Sequence, residues 1–301
     1  MKKDKGQLKI KIFCFIILFL SLVFAVPTKQ LTLDNVHVYY AEKDEKIAKA
    51  AIQVVSKQQL RLHDQYHLDV NPIHIYIADD QKTYNKYSGA SSPVWSVGLA
   101  SDNRMLVKSP SFSRQTLKDF QQTLLHETVH LAVEGIPLPV WFNEGFAQYE
   151  AGQFSLQKRV LVSREFWQQN LMSFTTIEYL MQMPQDKAEI AYAQSVAMVD
   201  YLIEYFGTGL VSKCLLYSKK HQDFEKGFQY AFLMDTQQFQ QHWRENAQKS
   251  YRLYILLGQN NLIWILAPLI LILGFILTRI RRKKLLKEWE TNEPQESADD
   301  F

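Results

Sequence analysis

Alternating apolar and polar positions in the first third of the chain predict a small β-sheet. The segments Val36 to Tyr40 and Ile73 to Ile77 are rich in β-branched and aromatic residues and predict two strands. Val94 to Ala100 and Arg104 to Lys108 flank an Asp-Asn pair and predict a hairpin. Between the first two strands, apolar residues recur at helical spacing, which predicts a helix from Glu42 to Tyr66.

After residue 112 the spacing of apolar residues becomes helical throughout. Ser113 is the expected N-cap of a helix whose apolar stripe ends before Gly135, and a short helix is predicted from Trp141 to Glu150. Further helices are predicted at Glu165 to Met172, Thr176 to Met183, Lys187 to Phe206, Leu210 to Ser218, Phe224 to Phe232 and Thr236 to about Leu253. Because strands come first and helices follow, the expected fold class is α+β, with a small N-terminal mixed sheet and an all-helical C-terminal part.

Two apolar runs near the ends of the chain predict membrane segments. Ile12 to Val26 follows five lysines, as in a signal peptide, so residues 1–26 are expected to be either a cleaved signal or a retained N-terminal anchor. Leu262 to Leu277 contains no charge and extends to a predicted transmembrane helix at 258–278. The alternative is that both runs are buried core helices.

The basic residues flanking these runs predict an orientation. Arg279 to Lys284 and the N-terminal lysines would both lie in the cytoplasm, so residues 27–254 would form an extracellular domain anchored in the cell membrane, in contact with membrane lipid. Residues 279–301 would be a cytoplasmic tail, basic and then acidic.

The charge balance of the middle of the chain argues against one class of partner. The whole chain has a formal net charge of +3, but residues 27–278 alone carry a net charge of −1. We therefore expect no nucleic-acid binding. The two cysteines, Cys14 and Cys214, lie far apart and do not form a disulfide framework, so the core alone is expected to stabilise the domain.

The residues that indicate chemistry are clustered in a short stretch after the predicted sheet. His126-Glu127-Thr128-Val129-His130 places two imidazoles one turn apart on a predicted helix, and Glu144 follows on the next helix. Two imidazoles and one carboxylate are the ligands of a catalytic zinc site with a position left for water. The sequence therefore predicts one Zn2+ ion bound by His126, His130 and Glu144.

The remaining polar residues near this motif have candidate roles. Glu127 is the expected general base. Tyr192, with Tyr201 as second candidate, could donate a hydrogen bond to the developing oxyanion, or could be an ordinary core tyrosine. Asn143 and Gln148 could orient the histidines or serve only as a helix cap and surface. A second histidine pair, His63 and His67, has the same spacing but no third ligand, so we expect it to be solvated.

These motifs resemble those of the gluzincin branch of the zinc metallopeptidases, and most closely the bacterial peptidase MA-like families. The resemblance rests on His126 to His130, on Trp141-Phe142-Asn143-Glu144-Gly145-Phe146-Ala147 and on the later Tyr192-Ala193-Gln194-Ser195. It implies a zincin-like domain with a thermolysin-like fold, in which the 94–108 hairpin would bind the substrate backbone by strand addition. It also favours Tyr192 as the oxyanion donor.

The sequence as a whole therefore predicts a membrane-anchored zinc metallopeptidase that cleaves peptides or proteins outside the cell. Related aminopeptidases carry a Gly-x-Met-Glu-Asn sequence that is absent here, which favours an endopeptidase. The alternative is a catalytically silent surface protein that keeps the fold and binds peptides or partner proteins. Glu127 argues against that alternative, because a protein that only binds has no use for a base beside the metal.

Overall fold

A computed structural model describes residues 29–70, 72–88, 97–251, 254 and 262–292. The strands are β1 (Lys29–Leu33), β2 (Val36–Tyr40), β3 (Ile73–Ala78), β4 (Gly98–Ser101) and β5 (Arg104–Lys108). The helices are α1 (Glu45–Tyr66), α2 (Gln81–Ser88), α3 (Pro110–Ser113), α4 (Leu117–Val133), α5 (Val140–Glu150), α6 (Leu156–Gln168), α7 (Phe174–Ile177), α8 (Gln185–Phe206), α9 (Thr208–His221), α10 (Phe224–Phe232), α11 (Thr236–Tyr251) and α12 (Leu262–Asn292). The sheet comes first and helices follow, so the predicted α+β class is confirmed.

The five strands form one mixed sheet in the order β1-β2-β3-β5-β4. The pairs β2–β3 and β3–β5 are parallel, whereas β1 and β4 pair antiparallel with their neighbours and are the two edges of the described sheet. The predicted hairpin is present: Ser101 pairs with Arg104, and both turn residues, Asp102 and Asn103, have positive φ, as a two-residue turn requires. Residues 94–96 of that prediction lie outside the described part.

The helix that carries the His-Glu-x-x-His motif, α4, begins at a different cap from the expected one. Ser113 ends the short helix α3, and Thr116 caps α4 instead. The Thr116 side chain accepts a hydrogen bond from the Asp119 backbone N–H, and the Asp119 carboxylate accepts one from the Thr116 backbone N–H. This capping box fixes the start of α4. Beyond its end, Gly135 adopts a φ of 78°, and the chain turns back towards α5.

Helix α5 is held in place by aromatic packing at its first residues. The Trp141 ring is buried and stacks on Phe174 and Phe239, with ring centroids 4.5 and 5.8 Å apart. At the other end of the helix, the buried Glu150 carboxylate accepts a hydrogen bond of 2.7 Å from the Tyr66 hydroxyl and lies 3.1 Å from Arg61 Nε. Both ends of α5 are therefore anchored, one in the helical part and the other on α1.

The described chain divides into two compact units. The first contains the described residues within Met1–Phe154 and Met172–Trp243, and the second those within Ser155–Leu171 and Arg244–Phe301. Within the second unit, Ser163 donates a hydrogen bond of 2.8 Å to the Tyr251 carbonyl, and the Phe166 ring stacks on Tyr251 with centroids 5.5 Å apart. All the residues that were predicted to carry chemistry lie in the first unit.

The predicted transmembrane helix at 258–278 is wrong. In the part of the chain that the structure describes, no helix combines the length and the apolar character that crossing a membrane requires. The prediction treated Thr278 as the end of an apolar segment, but α12 continues through the basic residues Arg279 to Lys284 and ends only at Asn292. The cell-membrane localisation, with an extracellular domain and a cytoplasmic tail, depended on that segment and is corrected with it. The predicted signal or anchor at 1–26 lies outside the described residues.

Candidate metal centre

Helix α4 places the two motif histidines on one face. His126 and His130 are separated by one turn, and their ring centroids are 4.6 Å apart with an interplanar angle of 80°. Their Nε2 atoms lie 3.0 Å from one another. Phe120, Leu124 and Thr128 are buried on another face of the same helix, which fixes its rotation in the first unit. The imidazoles therefore project together from a well-packed helix.

Helix α5 brings Glu144 to the same place. Its carboxylate oxygens lie 3.5 Å from His126 Nε2 and 3.8 Å from His130 Nε2, and the side chain is buried. One ligand atom from each of His126, His130 and Glu144 lies within 4.8 Å of the other two. In the described ranges this is the one group of three or more such side chains close enough to share a metal ion.

A glycine explains how α5 can carry this carboxylate so close to the following helices. A side chain at Gly145 would collide with the backbone carbonyl of Ser195 on α8 and with the Val199 side chain. The two helices therefore touch at Gly145 without a side chain between them. Because of this contact, α8, which carries Tyr192, packs directly against Gly145, the residue that follows Glu144.

Each histidine ring is oriented through its Nδ1 atom. His130 Nδ1 lies 3.0 Å from Asn143 Oδ1, and His126 Nδ1 lies 3.1 Å from Gln153 Oε1. The Gln153 amide nitrogen donates to the Gln122 carbonyl, so its oxygen is the atom directed at His126. Since amide oxygens only accept, these two contacts suit the tautomer in which each ring carries its proton on Nδ1 and presents a lone pair at Nε2.

The donor atoms therefore fit a divalent cation. The two Nε2 atoms and the Glu144 carboxylate converge, each within 3.8 Å of the others. Two neutral imidazoles and one carboxylate are the protein ligands that a catalytic zinc site uses.

Of the two residues expected to orient the histidines, Asn143 contacts His130. The Gln148 amide instead donates to the carbonyls of Glu144 and Tyr192, both at 3.2 Å, and links α5 to α8. Gln153, which holds His126, was missed by the sequence analysis. No local pattern marks it, because its contact depends on the turn at Gly152, where φ is 64°.

Gln153 offers a test of this arrangement. Replacing it by alanine frees the His126 ring to rotate and to change tautomer, so we expect zinc affinity to fall by about 10–100-fold. Competition titration with a chromophoric chelator measures that affinity. The exposed Gln182→Ala variant is the matched control and should bind zinc as the wild type does. Equal affinity in Gln153→Ala and the wild type would contradict an orienting role.

Glu127 is 8% exposed and lies beside the ligand set. Burial, opposed by His130 and assisted by the nearby Glu144 charge, raises the pKa of its carboxyl to about 7. A cation bound at the neighbouring ligands would favour the ionised form. The carboxylate is thus placed where it can exchange a proton near neutral pH.

Tyr192 lies on α8 within electrostatic reach of the same carboxylates. Its pKa is raised by burial and then by the charges of Glu144 and Glu127, so its hydroxyl keeps its proton. That hydroxyl donates to Met181 Sδ at 3.7 Å, on an exposed side chain. The second candidate, Tyr201, contacts His242 Nδ1 at 3.3 Å. Of the two tyrosines, Tyr192 is the one that interacts with the site.

The second histidine pair does not form a comparable centre. His67 follows the last residue of α1 in a left-handed conformation, with a φ of 56°, and so leaves the helical face that carries His63. His63 Nδ1 contacts the exposed Asp69 carboxylate at 2.8 Å. The i, i+4 spacing therefore spans a helix end and does not bring the two rings to one face.

The chain is similar to a known protein family and to a bacterial protein. A family model described as Peptidase MA superfamily matches residues 55–249, which is more than half of the chain and includes all the residues of the candidate centre. A protein of Bacillus subtilis (strain 168), named "Uncharacterized protein YhcO", is 23% identical over 246 residues. That match covers 74% of this chain and 72% of the relative.

Proposed function

Because the chain belongs to the Peptidase MA superfamily, we propose that it is a zinc-dependent peptidase that cleaves internal bonds of peptides or proteins. The observation that carries the proposal is the convergence of His126, His130 and Glu144 beside the buried carboxylate of Glu127. A site built only to hold a metal has no need for a second, unligated carboxylate in that position.

The metal would be held by Nε2 of both histidines and by the Glu144 carboxylate. When bound, the ion would polarise the substrate carbonyl and lower the pKa of a water molecule towards about 7. The chain's own contribution is to hold the ligands in place: Asn143 and Gln153 fix the two rings, and the contact at Gly145 fixes the helix that carries Glu144.

Two further side chains would move or hold protons. Glu127 would accept the proton of the attacking water and deliver it to the nitrogen of the leaving amine. The Tyr192 hydroxyl, which keeps its proton, would donate a hydrogen bond to the carbonyl oxygen as negative charge develops there. In that state it would exchange its bond with Met181 Sδ for one with the substrate.

The substrate backbone would lie along β4. This strand is an edge of the described sheet, and Gly98 at its start lies against Glu127 on α4. An extended peptide can add to such an edge through main-chain hydrogen bonds, whatever its sequence. The lack of a Gly-x-Met-Glu-Asn sequence for holding a free amino terminus supports internal cleavage.

The proposal is tested by incubating the purified full chain with a mixed peptide library and identifying the products by mass spectrometry. We expect internal cleavage products, their loss after treatment with a chelator, and recovery on adding zinc. A metal-loaded protein that leaves the whole library intact would favour the rival reading, a silent member of the fold that only binds peptides.

A further inference from the structure

Gly98, the first residue of β4, makes an unusually close approach to Glu127. The residue is buried and pairs with Val107 of β5. A methyl group built at Gly98 would lie 2.6 Å from Glu127 Oε1 and 2.9 Å from Glu127 Cγ. Both distances are well below an ordinary contact between carbon and these atoms, which is about 3.5 Å. Gly98 does not lie in the left-handed region, so this proximity, and not backbone freedom, is what requires a glycine here.

A second side chain confines the carboxylate from the helix itself. Thr123 lies one turn before Glu127 on α4, and its hydroxyl donates to the Asp119 carbonyl at 3.0 Å. That bond fixes the rotamer, and the same methyl group built at Gly98 would lie 2.7 Å from Thr123 Cγ2. The β4 backbone, the Thr123 methyl group and the Glu127 side chain therefore meet at one point.

We propose that Gly98 is a positioning residue: because it has no side chain, the edge strand lies directly against Glu127 and holds that carboxylate where it takes its proton. This inference rests on the proposed peptidase function. The carboxylate end of a glutamate is flexible and gives way more easily than a paired strand. A side chain at position 98 would therefore displace the base before it displaced the sheet.

The kinetic test compares Gly98→Ala with the wild type in the full, zinc-loaded chain. Displacing a reacting group by about 1 Å can cost about 100-fold in rate, so we expect kcat to fall by at least about 10-fold. KM should stay within about two-fold and zinc content should not change, because β4 and the three ligands remain in place. A wild-type kcat, or a loss explained entirely by KM or by zinc, would overturn the proposal.

The matched control is Gly209→Ala in α9. A methyl group at that position has no atom within 4 Å apart from its chain neighbours and its own helix backbone, and the residue is not in the left-handed region. The variant makes the same chemical change where there is room for it. Gly209→Ala should keep the wild-type kcat. That result would show that the loss of kcat in Gly98→Ala comes from the contact with Glu127. A kcat reduced as much as that of Gly98→Ala would remove this assignment and overturn the proposal.

A second measurement does not require activity. We expect Gly98→Ala to lower Tm by about 2–4 °C in the wild type, as a loss of roughly 1 kcal/mol would do in a chain of this size. The loss should be less than half as large in a Glu127→Ala background, because the displaced atoms are then absent. Equal Tm losses in both backgrounds would overturn the contact itself. A wild type that cleaves no peptide would overturn the proposed function whatever the Tm values show.

Discussion

Glu127→Gln is expected to abolish peptide hydrolysis while leaving the metal bound. Glutamine keeps the size of the side chain but cannot accept a proton, so kcat/KM should fall by about 1,000-fold or more. Zinc content should remain at one ion per chain, because Glu127 is not among the three side chains whose ligand atoms converge. The measurement combines cleavage of a fluorogenic peptide with metal analysis of the same preparation.

The matched control for this variant is Glu189→Gln, which makes the same substitution at an exposed position of α8. It should cleave at the wild-type rate. If Glu127→Gln also retained the wild-type rate, Glu127 would not be the general base, and the assignment of the reaction to this site would have no support.

Glu144→Ala is expected to lose most of the metal. The substitution removes the only carboxylate that lies within 4 Å of both histidine Nε2 atoms in the described residues, so the site keeps two ligands of three. We expect less than about one tenth of the wild-type zinc after dialysis, and no detectable hydrolysis. Glu189→Ala should retain a full complement of zinc.

A thermal measurement separates loss of the metal from loss of the fold. Zinc that binds the folded chain stabilises it, so a chelator should lower the Tm of the wild type. In Glu144→Ala the chelator should have almost no effect, although the variant still unfolds cooperatively. If Glu144→Ala kept one zinc per chain and its chelator-dependent Tm shift, the third ligand would lie elsewhere.

The convergence of His126, His130 and Glu144 was predictable because it depends on local geometry. Two residues at positions i and i+4 of one helix share a face, as His126 and His130 do. Gly135 then turns the chain back before Glu144. His63 and His67 mark the limit of that argument, since their spacing is the same but α1 ends between them.

Contacts that depend on tertiary placement were not predictable. Gln153 reaches His126 only because the chain turns at Gly152, and Gly98 touches Glu127 only because β4 lies across α4. Neither residue belongs to a recognisable pattern in the sequence. The contact of Gly98 with Glu127 joins residues almost thirty positions apart, and no periodicity in the sequence predicts it.

Some secondary-structure elements were missed where polar residues obscure the periodic spacing of apolar residues. Strand β1 is exposed at nearly every position and has only two apolar residues, Leu31 and Leu33, so its alternation is too short to predict a strand. Helix α2 is mostly polar, with Tyr84 as its one buried residue. The N-cap of α4 was predicted at Ser113, but the helix begins after Thr116, where Thr116 and Asp119 form the two hydrogen bonds of a capping box. The membrane prediction was wrong because no helix in the described residues is both long and apolar enough to cross a membrane.

The central claim is that one divalent cation lies between His126, His130 and Glu144. Crystals of the zinc-loaded full chain, measured on both sides of the zinc absorption edge, test it most directly. The account predicts one anomalous peak about 2.0–2.2 Å from Nε2 of each histidine and from a Glu144 oxygen. An anomalous map with no peak at these three side chains would contradict it.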